Sequence, residues 1–231
     1  MQKAIGFLAM IVIGLCVPSC SSVASYNIKV NGYTDPGTPA QIKPGGFFCV
    51  MENKEAKNPL LDAEVKGKIA KLLEVRGYPL TAFEKADYYL FFEYGMGEPR
   101  SVSTAAPDYY GSIGWGMGTG WGGWGGRGGW GGWGGPAVSI GMPWGGYSGD
   151  NTTLYDRRLR ISVVDGPAYR TQKISRPVWV GEAHSVGASS DLRTVLTYLL
   201  VADFKQFGKN TGQAVPMEIS AQDPEVAPLT R

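Results

Sequence analysis

Ala86-Asp87-Tyr88-Tyr89-Leu90-Phe91-Phe92-Glu93-Tyr94 is apolar on both alternating faces for most of its length. A strand of that kind needs cover on each side, which makes it the candidate for the centre of a sheet. Upstream, Phe47-Phe48-Cys49-Val50-Met51, within residues 46–52, reads as a second and more deeply buried strand. Between the two, Asn58-Pro59-Leu60-Leu61-Asp62 opens a helix. Asn58 suits the cap, Pro59 the first helical position, and Asp62 and Glu64 complement the dipole. Leu61, Val65, Ile69, Leu72 and Leu73 recur at helical spacing until Gly77 ends the run. Strand, helix and strand in succession call for a right-handed parallel crossover over residues 47–94.

The remaining elements are read on either side of this unit. Tyr26-Asn27-Ile28-Lys29-Val30 alternates apolar and polar as a first strand. Residues 154–165 set Leu159, Ile161 and Val163 against Arg158, Arg160 and Ser162, a strand with one wet face. A turn containing Gly166 and Pro167 leads to residues 177–186, expected to pair antiparallel with it. Ser190-Asp191 starts a second helix with Leu192, Val195, Leu196 and Leu199 on one face, ending near Gly208. Residues 214–219 form a short edge strand, and residues 220–231 a C-terminal tail. The sum is an α+β fold, a two-layer domain spanning residues 26–219, with a mixed sheet of about five strands and two helices.

Length and composition suit this plan. Of 231 residues, roughly 150 are left for a core once a leader and a glycine-rich insert are set aside, enough for one domain. Lys and Arg number 22 against 20 Asp and Glu, a net charge of +2 that offers no concentrated basic face for nucleic acid.

The leader is residues 1–19. Lys3 precedes an apolar run over residues 4–15, whose 12 residues are too few to cross a bilayer but match an export signal. Val17 and Ser19 before Cys20 are similar to the bacterial lipoprotein signal, in which the cysteine becomes the lipidated first residue. Residues 20–25 are then the lipidated cysteine and a tether. Cys16 fits worse, because Leu15 is too large for the position before the cut. A rival cut after Ala24 releases a soluble protein. Ser21 and Ser22 after the cysteine resemble the pattern that sends lipoproteins to the outer membrane. Of three cysteines only Cys49 stays in the fold, so no disulfide framework is possible, and a small buried hydrophobe is the expected role for it.

Residues 99–151 form an insert around Trp121-Gly122-Gly123-Trp124-Gly125-Gly126-Arg127-Gly128-Gly129-Trp130-Gly131-Gly132-Trp133. Its glycines leave the backbone too free to form helix or strand alone, so a flexible loop is expected. The spacing also permits a sharper arrangement. In an extended three-residue helix rising about 3.1 Å per residue, Trp121, Trp124, Arg127, Trp130 and Trp133 line one edge as an aromatic comb. Tryptophan suits a membrane interface, a sugar ring or a partner protein's surface. A single Arg-Gly-Gly is weak ground for RNA binding, which works through many charges.

Asn58-Pro59-Leu60, Arg76-Gly77-Tyr78, Ala86-Asp87-Tyr88-Tyr89-Leu90 and Val178-Trp179-Val180-Gly181-Glu182-Ala183, in that order behind such a leader, resemble the bacterial lipoprotein family described as domain of unknown function 4136, DUF4136. The resemblance covers residues 26–98 and 152–219. It implies an exported, lipid-anchored α+β domain in the cell envelope, and it brings no catalytic residues.

Little else carries chemistry. His184 is the only histidine, and no ligand spacing around it suggests a metal. Glu182 and His184 face the same side of a strand, so a local pair is expected and an envelope hydrolase near them is the weakest reading. Asp156-Arg157-Arg158-Leu159-Arg160 is the densest basic cluster. It reads as a solvated strand face, or as a contact with anionic headgroups if the three arginines share one patch with the insert. The expectation is a non-enzymatic outer-membrane lipoprotein without cofactor or metal, facing the periplasm. It binds an envelope component, protein or glycan, or acts in adhesion or self-association through the tryptophan segment.

Overall fold

The computed structural model describes residues 24–35, 42–53, 56–103, 113–114, 139–140, 151–172 and 176–230. In chain order the elements are β1 (Ser25–Thr34), β2 (Phe48–Val50), α1 (Pro59–Val75), β3 (Tyr88–Met96), β4 (Arg100–Ser103), β5 (Ile113–Gly114) and β6 (Ser139–Ile140). They continue with β7 (Asn151–Asp165), α2 (Gly166–Gln172), β8 (Pro177–Gly187), α3 (Leu192–Lys205) and β9 (Val215–Ser220). The main sheet has 7 strands in the order β2-β3-β7-β8-β1-β9, with β4 paired to the start of β7, while β5 and β6 pair separately. It is a mixed sheet: β2 runs parallel to β3, and the other neighbours are antiparallel. The α+β class stands, with more strands than the expected five and a third helix.

Local signals set the helix ends. The Asn58 side chain accepts from the Leu61 N–H at 3.1 Å, and Pro59 occupies the first turn. At the far end Gly77 has φ +79°, and the Tyr78 N–H bonds back to the Leu73 carbonyl at 3.0 Å. A glycine tolerates that left-handed turn without the steric penalty of a Cβ. Asp191 caps α3 by accepting from the Thr194 N–H at 3.1 Å.

The core lies between one face of the sheet and α3. Ile28 and Val30 of β1, Leu90 and Phe92 of β3, Leu159, Ile161 and Val163 of β7, and Trp179 and Ala183 of β8 all point into it. Every residue of α3 from Val195 to Phe204 is buried, because the sheet lies on one side of the helix and α1 packs on another. A two-sided setting of this kind explains an apolar surface wider than a single stripe.

Three expectations change. Residues 86–94 do not form the sheet centre: β3 is second from an edge, and the middle is held by β7 and β8. Its second apolar face is covered by α2 and the single turn at Phe83–Lys85, not by further sheet layers. Phe83 stacks on Tyr89 with ring centroids 4.6 Å apart, and Tyr169 of α2 meets Tyr89 edge-on at 5.2 Å. Arg170 Nη1 donates to the Ala86 carbonyl at 2.7 Å and to Tyr89 Oη at 2.9 Å. The region read as a turn at Gly166 is therefore a helix that caps the open end of β3.

The stretch expected to be a tail folds back on the helices. Val226 and Leu229 are buried in the core, Glu225 accepts two hydrogen bonds from Arg76 Nη2, at 2.9 and 3.0 Å, and Lys205 pairs with Asp223 at 2.6 Å. Ending the chain after Ser220 is expected to cost about 3 kcal/mol, from the loss of two buried aliphatic side chains. A urea midpoint equal to that of the full chain would refute this packing.

The outward face of the sheet as candidate site

Alternation along β3, β7, β8 and β1 sends every second side chain away from α3, and the register aligns these residues in rows. One row runs Phe91, Ser162, Val180, Tyr33; the next Glu93, Arg160, Glu182, Asn31; the third Gly95, Arg158, His184, Lys29. The first row lies toward α2, where Tyr169 packs on Phe91 at 5.8 Å. The second and third rows carry the charge.

Asp156, one step beyond the third row, organises it. Its side chain is only 4% exposed, and it holds both His184 Nε2 and the Arg158 guanidinium, whose Nε donates to Oδ1 at 3.1 Å. Burial by itself would raise the Asp156 carboxyl. The hydrogen bonds from His184 and Arg158 outweigh it and hold the group far below the ordinary carboxylate range. Glu182 is thus not the partner of His184: its ion pair is with Arg160, at 3.8 Å.

The basic cluster is divided. Arg158 and Arg160 lie on the outward face, each against a carboxylate. Arg157 points the other way, 1% exposed, donating to the Ser189 carbonyl at 3.1 Å and to Ser185 Oγ at 3.3 Å, with its guanidinium over the Tyr26 ring. The three arginines therefore share no patch, because adjacent residues of a strand face opposite sides.

What the arrangement can do chemically is limited. His184 has Arg158 and Lys29 as cross-strand neighbours, neither of them a hydroxyl or thiol. Ser162 is two rows away, about 13 Å along the strand direction. Ser185 faces the core side and donates to the Asn27 carbonyl at 3.0 Å. Acyl transfer needs a nucleophile within hydrogen-bond reach of its base, so this geometry gives the hydrolase reading no support. Cys49 is half-buried on β2 rather than enclosed, and burial pushes its thiol up, away from the reactive thiolate. Among the described residues no group of three or more His, Cys, Asp or Glu is placed to hold a metal.

Cys20, the leader, and Trp121, Trp124, Arg127, Trp130 and Trp133 lie outside the described residues. What is described is the root of the insert. β4 pairs with the first residues of β7, Ser103 opposite Asn151 and Arg100 opposite Leu154, before β8 joins at Tyr155. The insert thus leaves and returns on a two-stranded arm that runs past the end of β8.

The motifs on which the family resemblance rests serve the framework. Asn58 caps α1; Tyr78 packs edge-on against Phe48 at 5.2 Å; the Asp87 side chain accepts from the Phe47 N–H at 2.9 Å, joining β2 to β3. Trp179 Nε1 donates to the Lys209 carbonyl at 3.0 Å. Together the fold and its outward face define an α+β domain: α1 and α3 on one side of an open mixed sheet, α2 and the rows holding the Arg158, His184 and Arg160 ion pairs on the other. The chain belongs to the family described as Domain of unknown function (DUF4136), which matches it over residues 23–207. That match stops short of β9 and the packed C-terminal segment. No curated protein matches the chain.

Several solved structures are similar to it. A PDZ domain protein from Parabacteroides distasonis aligns with 87% of this chain at 12% identity and a TM-score of 0.44, and the chain spans 41% of that protein. The PelC dodecamer from Paraburkholderia phytofirmans aligns with 80% of this chain and 99% of its own at 13% identity, TM-score 0.38. A point variant of the same dodecamer covers 76% and 92% at 12% identity, TM-score 0.37. At these values none of the three bears on activity.

Proposed function

We propose that the chain is a non-enzymatic cell-envelope lipoprotein, held at the outer membrane by lipid on Cys20 and facing the periplasm, whose domain binds an envelope component or a protein partner. The observation that carries this reading is the shared origin of two segments. β1 begins at Ser25, and its Ile28 is level with Ser185 of β8 and, through it, with Arg157 of β7. The arm that roots the insert, Arg100–Ser103 with Asn151–Leu154, extends from that same end of the sheet. A lipid on Cys20 is five residues from Ser25, a reach of at most about 18 Å. The start of β1 and the root of the insert therefore lie at the same end of the sheet, and tryptophan is well matched to a membrane-water interface.

In this reading the comb of Trp121, Trp124, Arg127, Trp130 and Trp133 is the contact element, and the ion-paired rows on the outward face are a solvated surface. Mass spectrometry of the mature N-terminus is expected to find a lipidated Cys20. The comb is tested separately in a Cys20→Ser chain, with and without serine at the four tryptophans. Envelope vesicles are expected to retain the first protein several-fold better than the second, and equal retention would sink the comb. The same root on an extended arm favours a second reading, adhesion or self-association through the insert. It predicts that protease added to whole cells cuts within residues 104–150.

A further inference from the structure

Asp203 stands in the last turn of α3, is 0% exposed, and has no hydrogen-bond partner on either carboxyl oxygen among the described residues. It lies against Gly181 of β8, where a Cβ would overlap both carboxyl oxygens and the Trp179 ring. The seam around it is closed by few bonds. Trp179 donates to the carbonyl of Lys209 at 3.0 Å, the Gly32 N–H donates to Thr211 Oγ1 at 3.1 Å, and the Thr211 N–H donates back to the Gly32 carbonyl at 3.0 Å. The end of α3, the loop after it, β8 and β1 all meet over one enclosed carboxyl.

An ion with no partner in such a place is costly, so the seated group is the neutral acid. Burial pushes the Asp203 carboxyl well above its usual range, and the negative Glu182, on the other side of the sheet, adds to the effect. Four charged groups on α3 and the elements around it are engaged elsewhere. Lys68 of α1 bonds Thr197 at 2.9 Å and Glu64 at 2.7 Å, Arg76 holds Glu225, and Arg157 of β7 holds Ser185 and Ser189. On α3 itself Lys205 is paired with Asp223. From β3 and β1 the titratable groups on the core side include Tyr94 and Tyr26, and neither bonds Asp203.

We infer that Asp203 is a proton-controlled latch: with its proton the end of α3 seats on Gly181 and Trp179, and without it that end and the loop through Thr211 come away from β8 and β1. The proton passes to solvent, and the bonds of Trp179 to Lys209 and of Gly32 to Thr211 open with the seam. The direction follows from linkage. A carboxyl freed by opening ionises near about pH 4, while the seated one keeps its proton far above that, so the open form binds fewer protons and opening becomes easier as pH rises.

Native-state hydrogen exchange on the full chain between about pH 5 and 8 tests this, after correction for intrinsic exchange. Amides at the end of α3 and in the following loop are expected to open more readily as pH rises, by up to about tenfold per pH unit while the seated carboxyl keeps its proton, and those of α1 and β3 do not follow. Asp203→Asn is expected to flatten the profile. A flat profile in the parent overturns the latch, as does an equal slope in Asp203→Asn, which would assign the proton elsewhere. An equal slope in α1 and β3 also overturns it, since the opening would then be global. If Asp203→Asn does not fold, Asp203→Ala takes its place with the same expectation of a flattened profile, and an equal slope there overturns the latch.

Discussion

Asp156→Asn is expected to cost about 3 kcal/mol of folding stability at neutral pH, the usual range when one member of a buried pair is removed and its partners remain. Three groups meet at this residue. The carboxylate is almost fully enclosed, and both His184 and Arg158 bond to it. The asparagine keeps the shape and loses the charge. The pH dependence gives a second readout. In the folded chain the Asp156 carboxyl is held far below its usual range, so the stability it supplies is present above the unfolded value near about 4 and is lost as pH falls further. The parent's stability curve should therefore drop on its acid limb more steeply than the variant's. Urea titrations from about pH 2 to 7 measure both effects, and parallel acid limbs would show that the triad contributes nothing net.

Gly181→Ala is expected to be at least as damaging, about 3 kcal/mol or more, because the new methyl has no room. It would overlap the Asp203 carboxyl on one side and the Trp179 ring on the other, and forced overpacking of a filled core costs on this scale. Trp179 is 1% exposed and cannot swing away without breaking its bond to Lys209. Asp203 can be shortened. The double variant Gly181→Ala with Asp203→Ala is therefore expected to recover more than about 1 kcal/mol relative to the sum of the single changes. A single variant within about 0.5 kcal/mol of the parent would mean the seam yields easily, and the latch would lose its mechanical basis.

The two sites differ in how far they could be read in advance. His184 was visible as the only histidine, but its partner was not. Asp156 is 28 residues away on the neighbouring strand, and only the pairing of Arg158 with His184 brings the two together. Glu182, two positions along the same strand, was the nearer candidate, and its charge is taken by Arg160. Arg157 could have been placed by alternation. It shares its face with Leu159, Ile161 and Val163, yet a run of charges reads more readily as one wet surface. Asp203 left a comparable trace: Leu192, Leu196, Leu199 and Asp203 follow helical spacing, which carries the apolar face of α3 onto a carboxyl. The helix α2 left less. Gly166-Pro167 carries the signal of a turn, and the seven residues hold as a helix because Asp165 accepts from the Ala168 N–H at 2.8 Å and Tyr169 packs on β3, some 80 residues earlier.

By itself the amino-acid sequence determined the α+β class, the β2-α1-β3 unit, the antiparallel partnership of β7 with β8, and the caps of α1 and α3. Each of these depends on residues within a few positions of one another, where propensity, capping and alternation act directly. The tertiary structure alone decided the place of β3 near an edge, the cover supplied by α2, the return of residues 221–230 onto the helices, and the partners of Asp156 and Asp203. Those outcomes depend on which surfaces meet. The gain from burying Tyr89, Val226 or Trp179 exists only once distant segments are brought together, and no local pattern encodes that meeting.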